Sequence, residues 1–157
     1  MLIKVCDYVK DILTFDADKI VIARANYTLK DFTSDLIVVD LLTMTPLGKN
    51  ESYNKVSEKL TLATNINANI TLDFYGDNAL INATNFINMQ QSQTAIDLQR
   101  TLGIGVFHSK NIKNVKEKVG VNYYSRYQIE LVINGIISKE IDTLRIDTVD
   151  FDVLFNK

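Results

Sequence analysis

Between Asp35 and Met44 the chain carries Leu36, Ile37, Val38, Val39, Leu41 and Leu42, with only Asp40 interrupting. A strand with one wet face alternates apolar and polar residues, so a run that is apolar at odd and even positions alike asks for cover on both faces. This predicts a strand at the centre of a layered sheet. Hydrophobic residues at 46%, charged at 23%, one Pro and six Gly fit a globular chain, neither disordered nor collagen-like. A length of 157 residues gives room for one core and is short for two, so residues 1–157 are read as a single domain.

Other segments supply the layers. Leu2, Val5, Cys6, Val9, Ile12 and Leu13 recur at helical spacing, with Lys4, Asp7, Lys10 and Asp11 opposite, so Leu2 to Phe15 is an amphipathic helix. Asp16 to Lys19 reads as a turn and Ile20 to Arg24 as a short β-branched strand. Thr45-Pro46-Leu47-Gly48-Lys49-Asn50-Glu51 holds the single proline among turn formers and charges, which predicts an exposed loop open to a partner. Lys55 to Tyr75 alternates in two stretches, and Asn65 to Asn69 between them reads either as a hairpin turn or as a bulge in one long strand. After Gly76, Asp77 can cap a helix whose inner face is Leu80, Ala83, Phe86, Ile87 and Gln90. Ser92 restarts helical spacing through Ala95, Ile96, Leu98, Gln99 and Leu102, with Gly103 as its terminating glycine. Ile104 to Phe107, Val121 to Ile133, Leu144 to Thr148 and Phe151 to Phe155 read as strands. The order predicts an α+β fold: a mixed, mostly antiparallel sheet with an N-terminal helix and two central helices on one face.

Counting removes much chemistry. One Cys permits no intrachain disulfide and one His no two-His metal centre. Charges interrupt Met1 to Asp7 too early for a signal-peptide core, and no apolar run approaches the roughly 18 residues a membrane helix needs. Cys6 lies on the apolar stripe of the first helix, where a small buried hydrophobe accounts for it, and His108 reads as a strand-end surface residue. Gly103-Ile104-Gly105 lacks a third glycine and runs from helix to strand, the reverse of a dinucleotide cradle. Asp73 and Asp77 flank Gly76 and could hold a cation, but one facing solvent and the other capping a helix is the simpler reading. No cofactor is expected.

Three groups point to contacts. Lys110, Lys113, Lys116 and Lys118 against Glu117 give a local charge of +3, suited to a phosphate backbone or an acidic partner subunit. Glu140, Asp142, Asp147, Asp150 and Asp152 outweigh Lys139 and Arg145 near the carboxyl end, a complement that permits head-to-tail association. Tyr123, Tyr124 and Arg126 are residue types enriched at interface hot spots, whereas Tyr127 is placed in the core. The formal charge of -2 denies the chain the field of a dedicated nucleic-acid binder.

Ile70-Thr71-Leu72-Asp73-Phe74-Tyr75-Gly76-Asp77-Asn78-Ala79 is a strand ending in Tyr-Gly that leads straight into a helix. With Ala95 to Val106 and the Arg-containing run Tyr123 to Leu131, it resembles the neck or tail terminator-like family of tailed bacteriophages and prophages, from about Asn26 to Val149. Where such chains have a proline-rich entry after the first strand, this one has Asn26 to Phe32. The resemblance implies a virion subunit, assembled in the host cytoplasm, that forms a hexameric ring, caps the tail tube and joins it to the head connector. It implies the tail tube protein, the connector or stopper protein and other copies of the chain as partners, and no catalytic residues. DNA would pass through without specific binding. Six copies at -2 each carry -12, and an acidic lumen would not grip moving DNA. The alternatives are a head-closure stopper or adaptor, a small metal-dependent enzyme using Asp73 or Asp77, and a weak nucleic-acid binder using Lys110 to Lys118.

Overall fold

The computed structural model describes residues 1–24, 34–107, 109, 111–115, 117–119 and 122–143, with backbone alone for 117–119 and 122–124. Helix α1 (Leu2–Leu13) is followed by a 3-10 turn (Ala17–Lys19) and strand β1 (Ile20–Ile22). Two long strands form a hairpin, β2 (Leu36–Asn54) and β3 (Lys59–Tyr75), and lead into α2 (Ala79–Met89) and α3 (Gln93–Leu102). Then come β4 (Gly105–Phe107), β5 (Lys113–Asn114), β6 (Glu117–Val119), β7 (Asn122–Tyr124) and the long β8 (Arg126–Asp142). The main sheet runs β1-β2-β3-β8-β4, with β5 also on β8, and β6 and β7 pair as a separate ribbon. Among the described residues only β1 and β2 pair in parallel. The fold is α+β.

Alternation decides what each face carries. On β3, Ala68, Ile70, Leu72 and Phe74 lie level with Ile133, Leu131, Ile129 and Tyr127 of β8, and all three helices pack on this face. Val5, Tyr8, Val9 and Ile12 of α1 meet Ala79, Ala83 and Phe86 of α2 and Ala95 of α3 there. Phe86 anchors the layer, its ring edge-on to Tyr8 and tilted against Phe74. Gln99 ties the elements together: its Nε2 donates to the Tyr8 hydroxyl and its Oε1 accepts from the Val106 amide. The α3 ends match their signals, with Ser92 Oγ accepting from the Ala95 amide and Gly103 at φ 63.

Several expectations are corrected. Thr45 to Glu51 is not a loop but part of β2, paired with β3 across one register shift, between Pro46 and Gly48. Proline is tolerated because this stretch of β2 is an edge, where a missing N–H costs no ladder bond. The central position belongs to β3, flanked by β2 and β8 throughout, rather than to β2. Of the two readings of Asn65 to Asn69, the turn is wrong: the segment is the middle of one long strand, regular against β8, and the two irregularities of its pairing with β2 lie at its ends, with the extra residues on β2. The turn falls earlier, at Lys55 to Glu58, where Asn54 Oδ1 accepts from the Val56 and Ser57 amides and Glu58 takes φ 52. The strand read to Ile133 continues to Asp142 and is separated at Ser125 from β7. On α2, Leu80 points outward and Ala79 takes its place in the core. Leu144 to Thr148, Phe151 to Phe155 and His108 lie outside the described residues.

Candidate assembly surface

The corner from β3 into α2 is built on a backbone that only glycine fits. Gly76 has φ 100, and a Cβ there would stand 2.5 Å from Asp35 Oδ1 and 2.8 Å from the Asp35 backbone. That close approach brings the Asp35 carboxylate to the start of α2, where Oδ1 accepts from the Asn78 amide at 3.1 Å and Oδ2 from Asn78 Nδ2 at 2.9 Å. A carboxylate satisfies a helix amino terminus both as acceptor and as charge. Asp77, expected as the cap, is exposed, and Asn78 stands at the N-cap with no side-chain bond of its own into the helix.

The sheet face away from the helices carries matched charges. Asp73 is 4% exposed; its Oδ1 accepts from Arg126 Nε at 3.2 Å and Gln128 Nε2 at 3.0 Å, and its Oδ2 from Arg126 Nη2 at 3.0 Å. Neither solvent-facing nor open to a cation, Asp73 holds the first residues of β8 to β3. The guanidinium also lies 5.6 Å from the Tyr75 ring centroid, a cation–π contact. One row further along the same face, Glu130 takes Lys113 Nζ at 2.6 Å and Asp40 takes Arg24 at 3.2 Å. Among the described residues no cluster of His, Cys, Asp and Glu could hold a metal ion.

Beyond the helix layer the sheet continues as a three-stranded arm, formed by the distal parts of β2, β3 and β8. Its helix-side face extends the core pattern with Leu60, Leu62, Tyr53, Ile137 and Ile141, while the reverse face carries Asn50, Ser52, Asn65, Asn67, Asn134 and Ser138. With no helix among the described residues against it, the apolar face stays partly in water. On that face Ile137 is 49% exposed, Tyr53 41% and Ile141 40%, and Leu47 at the second register shift, Val56 at the tip and Ile136 on the reverse face are exposed too. Where the arm leaves the body, Leu47, Ile66, Ile96, Ile104 and Ile136 line an open groove of about 640 Å³. Side chains of this kind, contiguous and uncovered, mark contact sites.

The residues singled out beforehand are scattered. Arg126 is engaged by Asp73 and Lys113 by Glu130. Tyr123 and Tyr124 fall on β7, opposite Lys118 and Glu117 of β6. Lys110 and Lys116 lie outside the described residues. Tyr127 packs against the core as expected, and so does Cys6, half-buried on α1. Burial and the neighbouring Asp7 push the Cys6 thiol above its ordinary 9.0, which keeps it protonated and unreactive near neutrality. Burial also raises the Tyr8 hydroxyl above its ordinary 10.0, against the Gln99 hydrogen bond. The arm was missed; the signal for it was the continued alternation of Ile137, Lys139 and Ile141 past Gly135.

An α+β body with a bare amphipathic arm is the build of a structural subunit that meets other chains. The family model described as phage neck terminator protein matches residues 4–156, and the chain belongs to that family. No curated protein matches it. It is a structural component of the virion, placed at the tail or neck, whose family implies contact with other virion components. Among the described residues no helix is long and apolar enough to cross a membrane.

Proposed function

We propose that this chain is the tail terminator proper, one domain per subunit, whose copies close into a six-membered ring that caps the tail tube and joins it to the head connector. The arm carries this reading. A lone subunit leaves Leu47, Tyr53, Ile136, Ile137 and Ile141 in water, and burying such side chains contributes about 25 cal/mol per Å² of apolar surface. Family membership supports the location. Matching of Asp40, Asp73 and Glu130 with cations on one face, at a chain charge of -2, supports a conduit indifferent to phosphate. DNA then passes through the opening without specific contacts.

Light scattering and negative-stain imaging of the purified chain, alone and with the tail tube protein, test this. Rings of uniform size in either sample are the expected result. Monomers in both would rule the ring out.

A further inference from the structure

Among the described residues the arm ends as a sheet with two bare edges. On its outer side β2 carries β1 only at Ile37 to Val39, and β8 carries β5 and β4 only as far as Asn134. Beyond those contacts neither outer edge is paired among the described residues. A bare edge offers a row of N–H and C=O groups, and chains that stay apart blunt it with proline, bulges or charge. Between Leu41 and Gly48, β2 has Pro46 and both register shifts. From Gly48 to Asn54 there is neither proline nor register shift, pairing with β3 is regular, and the charges that remain are one of each sign, Lys49 and Glu51. The β3 residues that hold this stretch, Lys59 to Asn65, hold Ile136 to Asp142 of β8 on their other side. Both outer strands run antiparallel to β3. The two free edges are therefore level, regular over the same stretch and parallel in direction.

The rows fix what each edge presents. Glu51, Leu62 and Lys139 form one row on the apolar face, and Tyr53, Leu60 and Ile141 the next. Within one chain Glu51 and Lys139 stand two strands apart, about 10 Å at the usual strand spacing. Neither enters an ion pair among the described residues. With β8 of one copy laid level beside β2 of another, Lys139 and Glu51 become neighbours and Ile141 meets Tyr53. A slip of one residue would turn the apolar side chains to the polar face, and a slip of two in one direction would set Lys139 against Lys49.

We propose that copies of this chain join edge to edge through their arms, β8 of one pairing in parallel with β2 of the next, with Lys139 and Glu51 setting the register. The occupant is a second copy because the two edges are complementary to each other: level, equally long and opposite in charge at one row. A contact between two different patches of one chain repeats head to tail and closes where the rotation allows. This inference rests on the ring reading and specifies its joint.

The test uses the full chain with Cys6→Ser, Ser52→Cys and Glu140→Cys. Ser52 and Glu140 flank Thr61 in a single row, so in one chain they are about 10 Å apart, outside the ~7 Å limit of a disulfide; between joined copies they sit on adjacent strands. Mild oxidation of the assembled protein should give a covalent ladder on a non-reducing gel, and either cysteine alone at most a dimer. Separately, E51K and K139E should each raise the concentration needed for assembly about tenfold or more, and mixing the two variants should restore it. Rings without a ladder, unmoved by E51K and K139E, would overturn the joint and leave the ring standing. Failure of the unsubstituted chain to assemble, alone and with the tube protein, would overturn both.

Discussion

One strand crosses two different environments. From Ile66 to Tyr75, β3 is buried at nearly every position, whereas from Lys59 to Asn65 it is half-exposed, although both stretches pair with the same two strands and alternate with the same period. The difference lies in what stands above the sheet. Tyr8 and Phe86 close over Phe74 and Leu72, while nothing among the described helices reaches Leu60 or Leu62. Strand pairing thus sets which side chains share a face, and helix cover sets which of those faces becomes a core. The body is stabilised from within; on the arm the apolar face has no such cover among the described residues.

Substitution should separate the two regions most sharply at their aromatic residues. Phe86→Ala, in the body, is expected to cost about 3–5 kcal/mol in urea unfolding, while Tyr53→Ala, on the arm, should cost under about 1 kcal/mol and weaken assembly instead. Equal losses at the two sites would erase the distinction. At the hinge between sheet and helices, Gly76→Ala should cost about 2–3 kcal/mol, since the new Cβ meets Asp35 backbone and the φ is unfavourable. A neutral result in the same unfolding measurement would mean the corner can relax. Asp73→Ala leaves the Arg126 guanidinium without its buried partner and should cost about 2 kcal/mol, with little dependence on salt because the carboxylate is enclosed.

Alkaline pH probes the body alone. The Cys6 thiol and Tyr8 hydroxyl both have raised folded-state values, so the unfolded chain loses these protons first. Stability from this source is complete below the ordinary values and falls as pH rises through them toward the raised ones. Melting temperature should therefore decline above about pH 9, and Cys6→Ala should remove the earlier part of that decline. The smallest effect is expected at Lys113→Ala, under about 0.5 kcal/mol and fading in high salt, because that ion pair is half-exposed on both sides.

Local chemistry made part of this legible. The heptad-like stripe of α1, the Ser92 start and Gly103 stop of α3, and the Tyr75-Gly76 corner are all written within a few residues of where they act. The loop misread at Thr45 to Glu51 shows the opposite case. Proline, glycine and charge there signal a turn, but a strand edge tolerates all three, and only pairing with Ile66 to Leu62 reveals that an edge is present. Asp73 was legible as a strand residue and not as the anchor of Arg126, because the two are brought together by β3 lying against β8. Tyr8 was likewise missed in the helix stripe, since its burial depends on Phe86 and Gln99 from two other helices.

By itself the sequence determined the α+β class, the places of α1, α2 and α3 with most of their inner faces, and the family, since periodicity and turn residues act over short spans of chain. Tertiary structure alone decided where the hairpin turns, which strand is central, how Asp73 and Asp35 are used, and that an arm stands clear of the helices. These depend on contacts between residues far apart in the chain, and one polypeptide's pattern of apolar residues is the same whether a helix or another molecule comes to cover them.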